Sequence, residues 1–458
     1  MSEQKTENKM GVMPVNKLII TMSLPMVVSM LVTAMYNVVD SIFVSRIGEA
    51  ALTAVSLAFP IQNLMIAVAT GTGVGVNAML SMNLGRKDFP AVNRIAMNAV
   101  TLAVASYAAF AVFGVFFTRF FFEAQTDNLE IIEFGCQYMY IISIFSFGLF
   151  VQITLDRLLQ GTGKTLYTMF TQGLGAVTNI ILDPILIFGF LGFPAMGVTG
   201  AALATVIGQI LGMFLSVYFN LKKNNEIEFQ LKNLKLHLQT VRSIYSVGVP
   251  SIIMASISSV MTFGLNTILM SFTSTATAVF GVYFKLQSFI FMPVFGLNNG
   301  MIPIISYNYG AKNRSRILKT IRLCVLYATT VMAVGFLVFQ FFPVQLLSLF
   351  NASQDMVLIG VPALRLISIS FLFAGYCIIT GSTFQALGNG VMSLVVSVAR
   401  QLVVLLPVAW LLSRTGRLNI VWWSFPIAEL VSVALCSVFF RKIYVKQIKP
   451  IPAGAENL

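Results

Sequence analysis

Charge is what this sequence has least of. Only 10% of its 458 residues are charged, one is histidine, and cysteine and tryptophan number four and three. With 57% hydrophobic residues and a mean hydropathy of +0.86, that scarcity excludes an ordinary soluble enzyme of this length. The lone histidine, His237, cannot build a metal site by itself. Cys136, Cys324, Cys377 and Cys436 fall in or near separate apolar runs with no CxxC pair, so neither a zinc site nor a disulfide framework is indicated. Acids are scarcer than bases, 16 against 29, for a net charge of +13. The aromatic and basic clusters of nucleic-acid modules are missing, so the excess points to loops held against an anionic membrane leaflet rather than to nucleic acid. The polar first eleven residues carry no short apolar region or small-residue cleavage site, and no removable signal peptide is expected.

What is abundant is long apolar stretches. At about 20 residues per crossing, the pattern predicts an all-α polytopic membrane protein with twelve transmembrane helices: 18–43, 51–82, 95–117, 131–155, 166–191, 196–220, 243–270, 275–307, 317–347, 357–380, 389–413 and 420–441. The eighth and ninth exceed one straight crossing and are expected to tilt or run into surface helices. Lys9, Lys17, Arg86, Lys87, Arg94, Lys222, Lys223, Lys312, Arg314, Arg316, Lys442 and Lys446 fall on one side, against only Arg46, Arg119, Arg365, Arg414 and Arg417 on the other. The positive-inside rule then puts both termini in the cytoplasm.

The chain also repeats itself. Pro25 and Pro250 are 225 residues apart, and so are Gly85 and Gly310, Lys87 and Lys312, Ser143 and Ser368, Gln160 and Gln385, and Gly163 and Gly388. Six spans separate the copies, so both have the same orientation, as in parallel repeats related by a pseudo-two-fold axis along the membrane normal. The implied domains are an N-lobe at 1–221, a mildly amphipathic cytoplasmic linker at 222–242 (Ile227, Phe229, Leu231, Leu234, Leu236, Leu238), and a C-lobe with a basic tail at 243–458.

Against this apolar background, a few polar residues stand out. In LGAVTNIILDPILIFGF, residues 174–190, Asn179 and Asp183 lie four apart on one helical face, with Pro184 behind the acid. A carboxylate at membrane depth costs roughly 2.5–3.5 kcal/mol and so faces a bundle interior or watery cavity. Only one earlier apolar stretch, the first span, carries a comparable acid, Asp40, with Tyr36 one turn before it. At the repeat offset Asp40 corresponds to Leu265 and Asp183 to Val408, so the fold itself does not require the acids. Two acids sharing a cavity can carry a proton one way while a cation leaves the other. Pro25 removes a backbone hydrogen bond and is a candidate hinge in the first helix, or a static kink repeated by Pro250. Lys285, Arg400 and Glu429 in the C-terminal half would pair structurally or line its half of a cleft. Gln152, Asn266, Asn298 and Asn299 are candidates for the pathway or for interhelical hydrogen bonds. The many Phe and Met residues suit a polyspecific cavity, though most must face lipid or core. GTGKT at 161–165 imitates a phosphate loop but has Leu158 where the motif needs glycine, and it ends a membrane helix. Gly71, Gly73 and Gly75 fit close helix packing better than nucleotide binding.

With SLPMVVSMLVTAMYNVVDSIFVSRIG in the first span, NxxxD in the fifth, and the QGTGK and QALGN turns, the chain resembles MATE (multidrug and toxic compound extrusion) transporters over essentially its whole length. Within the family it is most similar to the DinF-like branch and its MepA-like group. The resemblance implies that Asp40 and Asp183 line an N-lobe cavity and bind the coupling cation, with Tyr36 and Asn179 hydrogen-bonding there. The family often has asparagine near the end of helix 4, where this chain has Asp156. Thr199 and Thr205 of helix 6 are further candidates for the cavity. The sodium-dependent branch has acids in helices 7 and 10; these spans carry none apart from Asp355 just outside, which favours protons.

The expected function is secondary active export of amphipathic, mostly cationic drugs from the cell membrane by cation antiport through alternating access. No cofactor or resident metal is expected; the coupling ion is H⁺, or Na⁺ at Asp40 and Asp183. The partners are small molecules and the bilayer, with no obligatory protein partner and a monomeric state. A flippase of lipid-linked precursors is the nearest alternative but would want a strongly cationic central cavity. An intramembrane enzyme lacks a nucleophile, base or metal cluster in the spans, and a scaffold would tolerate loss of both acids.

Overall fold

The computed structural model describes residues 7–229 and 235–452, and among these every regular element is helical. The spans are α1 (Val15–Ser45), α2 (Glu49–Gly85), α3 (Phe89–Glu123), α4 (Leu129–Ile144 with Phe147–Gly161), α5 (Thr165–Phe188), α6 (Gly197–Lys223), α7 (Leu238–Met270), α8 (Ser274–Gly310), α9 (Arg314–Phe341), α10 (Gln354–Ser368 with Phe371–Ala386), α11 (Gly390–Ser413) and α12 (Leu418–Ile448). Helices are the structure that this composition dictates, because a backbone crossing lipid must satisfy its hydrogen bonds within its own segment. All twelve expected spans are present. At 37 residues each, α2 and α8 run to about 55 Å and outreach a hydrocarbon core of about 30 Å. The ninth span ends at Phe341, short of the expected 347. Pro343 has no N–H to continue the ladder and instead opens a short separate helix, Pro343–Ser348.

The repeat has a geometric basis. Lys87 and Lys312 both adopt left-handed backbone, φ 60° and 56°, immediately after α2 and α8. The next residues, Asp88 and Asn313, cap the following helices by accepting from Ala91 N (3.0 Å) and Arg316 N (3.2 Å). Gly163 and Gly388 are a second left-handed pair, φ 87° and 81°, where glycine carries no steric penalty. α4 and α10, each expected as one span, are bent by 44° and 48° just after Ser143 and Ser368. No proline stands at either break; Ser146 and Ser370 donate to the carbonyls of Ser143 and Ile367 at 2.7 Å, competing with the helical ladder there.

The chain forms two compact units, Val28–Gly248 and Met1–Val27 with Val249–Leu458. In the first, Gly75 of α2 lies so close to α7 that an added Cβ would stand 2.1 Å from the Ile244 carbonyl oxygen, and one on Gly248 would stand 3.3 Å from that of Gly71. Gly73 faces the Arg157 side chain. In the second unit, Gly296 and Gly300 of α8 seat Val27 and Ser23 of α1 in the same way, with added Cβ atoms 2.6 Å and 2.8 Å from the two Cα atoms. Gly71 and Gly75 lie 225 residues before Gly296 and Gly300, so both repeats use one small-residue crossing. Ahead of α1, Arg316 donates to the Met10 and Met13 carbonyls at 3.0 and 2.7 Å while Asn308 Nδ2 donates to Met10 at 3.1 Å.

Within the expected linker, Lys222 and Lys223 still belong to α6, and α7 begins at Leu238. Ile227 is buried, whereas Leu236 and Leu238 are exposed. Glu228 N donates to Asn93 Oδ1 at 2.9 Å, and His237 N to Asn98 Oδ1 at 2.8 Å. Leu231 and Leu234 lie outside the described residues.

Candidate ion-coupling site

Three helices of the Val28–Gly248 unit bring the acids together. Asp183 on α5 is 0% exposed, and its Oδ1 has no hydrogen-bond partner. With its amide turned to satisfy its neighbours, Asn179 donates from Nδ2 to Asp183 Oδ2 at 3.0 Å and accepts from Thr205 Oγ1 and N of α6, both at 3.2 Å. Asn179 therefore spans the gap between the acid and α6, as its position one turn before Asp183 allows. Asp40 of α1 lies within hydrogen-bonding reach of Asp183, and both act electrostatically on the Tyr36 hydroxyl. Asp40 also opens onto a cavity of about 190 Å³ lined by Ser41, Val44, Leu52, Val55, Ser56 and Phe59. Among the described residues neither acid forms an ion pair with lysine or arginine. Two like charges about 4 Å apart repel by about 4 kcal/mol near a protein surface, so this site wants one positive charge, which no described lysine or arginine supplies.

Tyr138 of α4 joins the same electrostatic neighbourhood; it is buried, and its hydroxyl accepts from Gln62 Nε2 of α2 at 3.0 Å. The sequence offers no signal for it, since a tyrosine among the apolar residues of GCQYMYII looks like any core aromatic.

The MatE family model matches residues 25–185 and again 250–411, together more than half of the chain and in the two copies of the repeat. The chain belongs to the MATE family. The multidrug export protein MepA of Staphylococcus haemolyticus is 27% identical over 415 residues, covering 90% of each chain. A FAD transporter of Shewanella oneidensis is 24% identical over 433 residues, covering 94% of this chain and 95% of its own. A solved structure described as the outward-facing conformation of a multidrug resistance MATE family transporter of the MOP superfamily has the same fold. Its TM-score is 0.90 at 23% identity, over 98% of this chain and 100% of that one. This MATE protein is thus a multi-pass membrane protein from a family of multidrug efflux transporters.

The other candidates of this MATE chain separate into distinct places. Asp156, buried at the end of α4, sits in a cluster of its own. Its Oδ1 accepts from Thr171 Oγ1 (2.7 Å) and from Ser216 Oγ, and its Oδ2 from Gln172 Nε2 (3.3 Å). Gln172 in turn accepts from Ser29 of α1, so Asp156 is tied to the helix that carries Asp40. Gln152 is buried between α4 and α5, donating to the Thr171 carbonyl at 3.4 Å, and packs on Gly212 of α6. Thr199 donates to Gln137 Oε1 at 3.4 Å rather than to the acids. In the other unit, Arg400 pairs with Glu429 at 3.4 Å, whereas Lys285 is exposed, 6.0 Å over the Phe350 ring. Asn266 and Asn298 each bury a carbonyl oxygen without a partner. α1 runs as one helix through Pro25.

The Asp156 cluster makes a stability prediction. Asp156→Leu leaves the donors of Ser216 and Gln172 without their acceptor, at roughly 1–3 kcal/mol each, whereas Thr171 retains the Thr168 carbonyl at 2.8 Å. A loss of about 2–5 kcal/mol is expected for Asp156→Leu, and below about 1 kcal/mol for Asp156→Asn, which keeps an acceptor and lets the Gln172 amide turn over. Thermal unfolding of the two purified variants checks this; equal midpoints would show that the cluster holds nothing.

Proposed function

We propose that this chain exports amphipathic, mostly cationic organic compounds across the cell membrane in exchange for protons, with both termini in the cytoplasm. The observation that carries the reading is the meeting of Asp40 and Asp183 beside a cavity, with no lysine or arginine paired to either acid among the described residues. Such a pair is satisfied by a proton or by a cationic guest. Coupling then needs only that the two occupants favour different conformations of α1 and its neighbours. The name of the staphylococcal relative, a multidrug export protein, supports the substrate class. A carboxylate pair also disfavours an anionic cargo such as FAD, which the name of the Shewanella relative attributes to that protein.

The test is efflux of a fluorescent lipophilic cation from vesicles reconstituted with the purified chain, under a pH gradient alone, a sodium gradient alone, or neither. A pH gradient is expected to drive efflux and a sodium gradient to leave it at background. Efflux that follows sodium alone would replace the proton with Na⁺ at the same acids. FAD transport without cation transport would overturn the substrate class.

A further inference from the structure

The end of the second unit where Arg316 holds Met10 carries positive charge without acids. Lys319 and Arg322 of α9 are exposed there, as are Arg441, Lys442, Lys446 and Lys449 in the tail of α12. No aspartate or glutamate occurs at 305–330 or 430–452. Among the described residues none of these bases forms an ion pair. Arg314 ties the start of α9 to the tail: its guanidinium donates to the Tyr444 hydroxyl and, at 3.5 Å, to the Lys449 carbonyl, and lies 5.5 Å from the centre of the Tyr444 ring. Gln447 and Asn389, in the turn between α10 and α11, exchange amide hydrogen bonds at 3.0 and 3.3 Å. The tail ends in a π-wound segment, Tyr444–Ile448, which buries Ile448 and leaves Val445 and Lys446 exposed.

The fold does not require so one-sided a surface, because the first repeat is built otherwise. Lys164, 225 residues before Asn389, is ion-paired with Glu226. Asp88, Glu226 and Glu228 stand where the second repeat has Asn313, Ile451 and Ala453. The second repeat thus caps the same helix with an uncharged residue and closes the same junction with two amides, leaving its bases without acids. A bias of lysine and arginine to one membrane end needs only an excess of bases, which the first repeat achieves with acids interspersed. Bases gathered without acids repel one another and create a field that draws in anions. Long basic side chains around an exposed valine suit a membrane interface, where anionic headgroups lie above acyl chains.

We propose that the start of α9 and the tail of α12 form a docking surface for anionic phospholipid, independent of the compound transported. The test is thermal unfolding of the purified full chain in neutral detergent with added phosphatidylglycerol or phosphatidylcholine. Phosphatidylglycerol is expected to raise the midpoint by about 3 °C or more over phosphatidylcholine, and the gain should fade in about 0.5 M salt. Lys442→Gln/Lys446→Gln/Lys449→Gln should lose most of that gain while its midpoint without lipid stays native. The same three lysines changed to arginine should keep the gain, which separates lost charge from a disturbed tail. Arg94→Gln/Lys222→Gln/Lys223→Gln removes equal charge from the first unit and should also keep it. Equal losses in the two glutamine variants would reduce the effect to net charge and overturn the proposal. So would a native chain that does not distinguish the two lipids, or one that glycerol phosphate at the same concentration stabilises as much as phosphatidylglycerol does.

Discussion

Asp183→Asn and Asp40→Asn should each reduce gradient-driven efflux of an organic cation by about 100-fold, the upper end of ordinary coupling energies. The substitution is close to isosteric and removes only the ability to change charge. At position 183 the new amide oxygen still accepts from Asn179, and Thr205 keeps its contact with Asn179, so folding and membrane insertion should stay near native. What is lost is the difference between the occupied and empty site on which coupling depends. Because Asp40 and Asp183 lie within reach of each other, they act as one unit, and the double variant should be no worse than either single one. Efflux from reconstituted vesicles, normalised to folded protein, measures all three. Losses that multiply in the double variant would show two independent sites. Full efflux from both single variants would make the acids structural.

How much of this could be read from the sequence depended on whether the signal was local. The spans were legible because lipid forces long apolar helices, and the repeat because turns need particular residues. The left-handed Lys87 and Lys312 and the caps Asp88 and Asn313 are the physical content of an offset first seen as matching letters. Asp40, Asp183 and Asn179 announced themselves as polar groups in apolar runs, and the structure brings them together with Tyr36 and Thr205. Tyr138 and Gln62 did not, because their role comes from contacts between helices and a membrane chain is full of aromatics. The bends in α4 and α10 were also hidden, since no proline marks either break and the one glycine beside the α4 break, Gly148, looks like any small residue of a membrane helix. The distribution of α1 and α7 over both compact units was hidden as well, because it depends on which neighbour each half-helix packs against.

That packing leads to the other large expected effect. Gly75→Ala should destabilise the protein by about 3 kcal/mol or more, the severe end of overpacking, because the added methyl meets backbone and not a side chain that can turn away. The Ile244 carbonyl at 2.1 Å cannot yield without moving α7 as a whole. Gly300→Ala should behave alike, since its methyl meets the α1 backbone at Ser23. Gly73→Ala should cost less than Gly75→Ala, because its methyl meets a side-chain atom, Arg157 Cγ at 2.6 Å, and not backbone. Gly281→Ala, on α8 with nothing within 4 Å, should be stabilising by up to about 1 kcal/mol, the ordinary gain of alanine over glycine in a helix. Thermal unfolding of the four purified variants orders them. If Gly75→Ala and Gly300→Ala were as stable as Gly281→Ala, the two helix crossings could not be as close as described. If only one of the pair were tolerated, the two repeats would not share the crossing that their common offset implies.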